Sequence, residues 1–196
     1  SGDVHVRFCE NLRGRFPRVT RLVIMFKREY DARRVHKVIG KRMARYGLTL
    51  HPEKTRLIYY GPPRDKDSER GTFSFLGFSH YWGKSRKGKW IPKRKTAKDR
   101  LKRSVRSVHL WCKANRHLPV EVQWQSLRRK VNGHYQYYGI TFNTRSLRLF
   151  LVQVSRSWRK WLNRRNRENN MPWERFNRLL QRYPLPKPRI VHSYVR

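Results

Sequence analysis

The sequence predicts an α+β chain: a small β-α-β-β piece followed by a mostly α-helical bundle. Three observations carry that reading. A continuous apolar run of strand length, "LVIMF" at residues 22–26, leads straight into residues with helical spacing. Glycine and proline then divide the chain into short extended pieces up to about residue 92. From Thr96 onward the apolar positions recur at i, i+4, i+7 and i+11, the period of a helix with one buried face.

Residues 1–21 form an irregular N-terminal segment of weak periodicity, and no element is expected there. Residues 22–26 are the first strand. Over residues 31–46, Val35, Val38, Ile39 and Met43 recur at helical spacing, and Gly47 is a natural stop. Pro52 then separates two extended pieces, 48–50 and 55–60. Gly61-Pro62-Pro63 turns the chain into a charged loop that ends near Gly71. In "TFSFLGFSHYWG", residues 72–83, Phe73, Phe75, Leu76 and Phe78 surround Gly77. That predicts one strand carrying a bulge or a close backbone approach at the glycine. "KSRKGKW" supplies a basic turn and Trp90-Ile91 a returning strand, closing a β-rich piece over residues 22–92.

The helical part, residues 93–168, divides into three. Over 96–116, Leu101, Val105, Val108 and Cys112 share one stripe, while Lys98, Lys102, Arg106 and Lys113 share another. Pro119 starts the next helix, whose stripe is Val120, Trp124, Leu127, Val131 and Tyr138, ended by Gly139. Over 144–165, Leu147, Leu151, Val154, Trp158 and Trp161 point inward, and Arg145, Arg148, Arg156 and Arg159 point outward. These stripes suit a three-helix bundle with basic outer faces. Residues 169–196 hold a short helix, 172–182, expected to bury Trp173, Phe176 and Leu180, and a basic Pro-rich tail.

Forty-nine Lys and Arg stand against 12 Asp and Glu, a formal charge of +37. Self-repulsion at that level opposes compaction unless a polyanion neutralises it. Seven Trp and an aromatic content of 13% argue against a disordered basic tail, which lacks core formers. A folded, basic, aromatic-rich chain points to nucleic acid, and the absence of a lipidation signal or a spanning apolar run disfavours a membrane. Cys9 and Cys112 have no CxxC spacing, so free thiols in a reducing, cytoplasmic or organellar compartment are expected. No secretion signal is read. The start Ser1-Gly2 suggests a tag scar, a processed start or a segment of something longer.

The densest basic stretch is Lys84, Arg86, Lys87, Lys89, Lys93, Arg94 and Lys95, seven cations in twelve residues. A charge run is usually a solvated segment, but between Trp82 and Trp90 it favours contact with an RNA backbone. His134, beside Tyr135, Tyr137 and Tyr138, either stacks on an exposed base or packs within the bundle. Asp65, Asp67 and Glu69 lack a histidine or cysteine partner and read as a solvated turn. No metal site is expected, since the eight histidines follow no zinc pattern.

The order of these motifs resembles a known family. "DARRVHKVIGKRMARYGLTLHPEKTRLIYYG" followed by "FSFLGF" resembles the last reverse-transcriptase motifs of group II intron reverse transcriptase–maturases. "LRRKVNGHYQYYGITFNTRSLRLFLVQVSRSWRKWLNRRNR" with "MPWERFNRLLQRYPLPKPRIVHS" resembles that family's thumb, or maturase X, domain. The resemblance spans roughly residues 22–196. It implies a palm remnant whose Phe75-Leu76-Gly77-Phe78 corresponds to the primer grip, followed by a helical thumb whose basic face holds structured intron RNA.

The departure lies at residues 18–21. The family has Tyr-Ala-Asp-Asp there; this sequence has Arg18-Val19-Thr20-Arg21. Two-metal phosphoryl transfer needs carboxylates holding ions about 4 Å apart, and an arginine repels cations. The fingers and the remaining aspartate-bearing palm strand have no counterpart either. Lys54, in "HPEKTR", matches a lysine that relatives place near nucleotide phosphates; without the acids it reads, with Arg56, as an RNA contact or a structural ion pair.

The expected function is therefore a splicing cofactor that binds and stabilises group II intron RNA without polymerase activity, no residue being assigned a catalytic role. Any Mg²⁺ would belong to the partner ribozyme RNA, and a DNA target is left open. Its expected RNA contacts are the basic stretch with Trp90, Lys54, Arg56, Lys98, Lys102, Arg106, Lys113, Arg128, Arg129, Lys130, His134, Arg145, Arg148, Arg156, Arg159, Lys160, Arg164 and Arg165. The alternatives are a subunit of a reverse transcriptase completed by another chain and a general RNA chaperone.

Overall fold

The computed structural model describes residues 5–12, 20–51, 55–62, 71–165 and 171–193. The chain is mixed α and β and divides into two compact units, Ser1–Lys93 and Arg94–Arg196.

In the first unit, strands β1 (His5–Leu12), β2 (Thr20–Phe26) and β3 (Thr55–Tyr59) form an antiparallel sheet in the order β2-β1-β3. Phe8 pairs with Val23 on one side and Arg56 on the other. The central strand thus comes from the segment in which no element was expected. Its pattern, Val6 and Phe8 alternating with Arg7, is too short to stand out alone. Since β2 and β3 both run antiparallel to β1, they run parallel to each other. Helix α1 (Glu29–Ala44) is the crossover between them, a split β-α-β with one strand in the gap. Ala32 and Ile39 are buried, Glu29 and Asp31 sit at the positive helix end, and Lys41 and Arg42 at the negative end. The chain leaves α1 through Gly47 at φ +67°, as its stop signal predicted. Residues 48–50 belong to no named strand.

The expected single strand across Gly77 is instead a hairpin, β4 (Phe73–Phe75) and β5 (Phe78–Lys84). Leu76 and Gly77 both have positive φ, 48° and 80°, as a two-residue type I′ turn requires. The glycine marks a reversal, not a bulge. A second turn leads to β6 (Trp90–Thr96), completing the order β4-β5-β6. Gly88 at φ +76° and the Ser85 hydroxyl, which accepts from the Lys89 N–H at 3.1 Å, shape that turn. Tyr60 packs between Phe73 and Trp82, at ring distances of 4.9 and 5.8 Å, as a small aromatic core.

The second unit contains α2 (Lys98–Ala114), α3 (Val120–Tyr138), α4 (Thr144–Asn163) and α5 (Trp173–Arg182). The inward stripes meet in one core that includes Val108, Leu127, Val131, Leu147, Val154 and Trp158. Phe176 of α5 is fully buried against the Trp158 edge, with ring centroids 5.8 Å apart. Trp173, expected to be buried, is 44% exposed. It stands at the first residue of α5, where its ring meets that of Phe176 edge-on.

A buried amide organises this unit. Asn143 Oδ1 accepts from the Thr96 N–H at 2.9 Å, and its Nδ2 donates to Thr96 Oγ1 and the Tyr138 carbonyl at 2.8 and 2.7 Å. That fastens the start of α4 to the start of α2. At the other end His109 of α2 lies against Trp161 of α4, so the two helices run parallel. The tail packs as a strap: the Trp124 indole N–H donates to the Pro184 carbonyl at 2.9 Å and the Tyr135 hydroxyl to the Pro186 carbonyl at 3.2 Å. Val191 and His192 N–H groups then close on the Gly139 carbonyl.

Candidate nucleic-acid interface

The outer surface of the helical unit is built by the same periodicity that builds its core. On α2, Lys98, Lys102, Arg106 and Lys113 are exposed; on α4, Arg145, Arg148, Arg156 and Lys160 are exposed. The two helices pack side by side and parallel, and each carries its own exposed basic stripe. Asp99 is the acid in the first turn of α2, and the first turn of α4 has none.

Several cations are held in place against aromatic faces. The Arg159 guanidinium lies 4.3 Å from the Trp173 ring centroid, and its Nε donates to the Met171 carbonyl at 3.0 Å. Arg128 lies 5.5 Å from the Trp124 ring and Lys130 5.4 Å from Trp111. Such contacts contribute about 0.5–1 kcal/mol each at exposed sites and reduce the entropy lost when the side chain meets a phosphate. The exposed Arg129 keeps its Nε near the Gln125 carbonyl at 3.4 Å. Arg164 faces the Trp161 ring at 5.2 Å. Arg165 has a structural task as well: its guanidinium donates to the carbonyls of Arg116 and Leu118, closing the end of α2.

In the β5–β6 hairpin, Lys84, Arg86, Lys87, Lys89 and Lys95 are exposed, and Trp90, Lys93 and Arg94 are half-buried. Lys84 lies 5.6 Å from the Trp90 ring, and Lys93 Nζ donates to the Lys84 carbonyl at 2.7 Å. Arg56 is exposed on β3. Lys54, Asp65, Asp67, Glu69, Arg18 and Val19 lie outside the described residues.

His134 does not belong to the interface. It is buried, with its ring stacked on Phe150 at 3.7 Å, and burial pushes its pKa down to about 4. Helical spacing explains the correction: position 134 follows Leu127 and Val131 on the inward stripe of α3. Cys112 is also buried, its thiol pushed up to about 12, which leaves it unreactive.

Further cations gather on α1. Tyr30, Arg33, Arg34 and Lys37 lie at i, i+3, i+4 and i+7 on α1 and, with His36 and Leu57, line an open cleft of about 640 Å³. Their helical spacing is regular, but charged positions opposite an apolar stripe are the ordinary solvated face of a helix. His109, beside Trp161, had no motif around it. Among the described residues, no group of three or more His, Cys, Asp or Glu side chains is placed to hold a metal ion. No described helix is long and apolar enough to cross a membrane.

No protein-family model matches the chain, and no curated protein matches it.

Proposed function

We propose that this chain is an RNA-binding splicing cofactor, a maturase-like protein that binds and stabilises group II intron RNA and leaves the phosphodiester chemistry to the RNA and its Mg²⁺. The observation that carries the reading is the parallel pair α2 and α4, with cations on the outside and an aromatic core fixing them from within. Exposed basic stripes on two packed helices suit an A-form RNA helix, whose deep major groove leaves phosphates and 2′-hydroxyls to be read. Arginine predominates on α4, and its planar fork matches phosphate better than lysine does.

The proposal includes the loss of polymerase chemistry. Residues Thr20 and Arg21 begin β2, with Thr20 paired to Leu12 at the far end of the β1–β2 pair. The resemblance expects two aspartates at these positions, and the sequence has threonine and arginine instead. In a splicing assay with the cognate intron at modest salt and limiting Mg²⁺, the protein is expected to raise the rate. Identical rates with and without it would overturn the reading, and primer extension in its presence would point to an active polymerase.

A further inference from the structure

Four basic side chains surround one buried indole where α2 and α4 end. The Arg164 guanidinium lies 5.2 Å from the Trp161 ring centroid, the His109 imidazole 5.4 Å, and the Lys113 and Lys160 ammonium groups 5.9 Å each. Lys113, Lys160 and Arg164 are exposed, and His109 is half-buried. Among the described residues no acid pairs with any of the four.

Helix ends account for part of this cluster. Each C-terminus presents roughly half a negative charge, so two ends offset about one positive charge. Against that stand three permanent cations, none more than 5.9 Å from the one ring centroid, which leaves a surplus of about two positive charges. That surplus favours an anion, and Lys113, Lys160 and Arg164 are all exposed to solvent, where one would arrive.

We propose that this cluster seats one phosphate group of the bound RNA, and that His109 takes up a proton from solvent as the phosphate arrives. The inference rests on the RNA-binding reading above and adds His109 to it. In the free protein, burial first, then Lys160, Lys113 and Arg164, hold His109 below the ordinary imidazole value. A phosphodiester among those cations offsets their field, so the complex keeps the proton to higher pH than the free chain does. Between the two values, binding takes up a proton and tightens as pH falls; outside that window it is flat. On α2 the charged group facing His109 is Lys113, and on α4 they are Lys160 and Arg164.

Two measurements on the full chain test the seat. The His109 ring proton is followed by NMR over about pH 5–8, with and without inorganic pyrophosphate. Affinity for a structured RNA hairpin is measured at both ends of that range at fixed salt. The expected results are an upward shift of the His109 titration with pyrophosphate and a roughly threefold to tenfold gain in RNA affinity toward low pH. His109→Gln should remove that gain, and Lys160→Gln should reduce it while lowering affinity throughout. An unmoved His109 titration, or a pH response equal in wild type and His109→Gln at equal melting temperature, would overturn the seat. Steep salt-dependent RNA binding without the His109 response leaves the RNA reading standing and removes the seat. A pyrophosphate shift without RNA binding supports the seat and removes the RNA reading.

Discussion

At Gln123 a single buried amide closes the end of one helix and anchors the indole of another. Its Nε2 lies 2.9, 3.1 and 3.0 Å from the carbonyls of Asn115, Arg116 and Leu118, and its Oε1 accepts from the Trp158 indole N–H at 2.9 Å. Arg165 also donates to two of those carbonyls, so Asn115 and Trp158 depend most on the amide. Gln123→Leu fills the space and orphans the buried indole N–H, which should cost about 2–3 kcal/mol in denaturant unfolding. Gln123→Glu should cost more, since a carboxylate would face three carbonyl oxygens. His134 makes a second prediction, with the opposite sign to a salt-bridged histidine. Its folded pKa of about 4 lies below the unfolded value, so it contributes stability above the ordinary imidazole pKa and loses it as pH falls toward 4. The full loss is about 3 kcal/mol. Melting curves from neutral to acid pH should show it in wild type and show it reduced in His134→Leu. If both lose stability equally, the acid sensitivity lies elsewhere.

Elements differed in how far the sequence revealed them. The four helices of the second unit were legible because each buried face repeats locally, as Leu101, Val105, Val108 and Cys112 do on α2. Strand β1 was not, because its identity comes from two partners distant in sequence, and pairing energy leaves no local period in eight residues. The hairpin turn leaves a weak sequence signal for a related reason. "LG" lacks the usual Asn or Asp before glycine, so Leu76 holds a left-handed φ of 48° that a branched side chain disfavours. Leu76→Asn should therefore stabilise the first unit by about 0.5–1 kcal/mol, read as a shift in its unfolding midpoint; a destabilised variant would mean that the leucine side chain contributes more than the backbone costs. The strap was legible only as a Pro-rich tail, since its bonds run from α3 to backbone carbonyls. Gly139 is where it docks: a Cβ there would collide with the Tyr135 carbonyl and come within 2.9 Å of the Arg189 carbonyl. Gly139→Ala should loosen residues 184–192, seen as faster amide exchange at Val191 and His192 with the bundle core still protected.

Across the whole molecule, net charge and architecture act together. A charge of +37 would give steep salt dependence to almost any polyanion contact, so affinity alone cannot distinguish an organised face from a diffuse cloud. The candidate site was legible at this level because helix periodicity separates the α2 and α4 cations from their cores. The His109 seat was not, because it joins two helices far apart in sequence. What distinguishes the organised face is the share of the salt slope that specific residues carry. Arg145, Arg148 and Arg156 are exposed on α4, and none of them makes a cation–π contact or buried bond among those found for Arg159, Arg164 and Arg165. Replacing all three with glutamine should leave the melting temperature of the free protein unchanged or slightly raised, since like charges are removed. If each meets a phosphate, the log–log salt slope for structured RNA should become shallower by roughly 0.7–0.9 per residue. The same triple change on the exposed cations of the β5–β6 turn, Arg86, Lys87 and Lys89, measures what that hairpin carries. A wild-type slope shallower than about −3 would argue against an extended phosphate interface, and a slope that falls equally whichever cations are removed would replace the organised face with diffuse attraction.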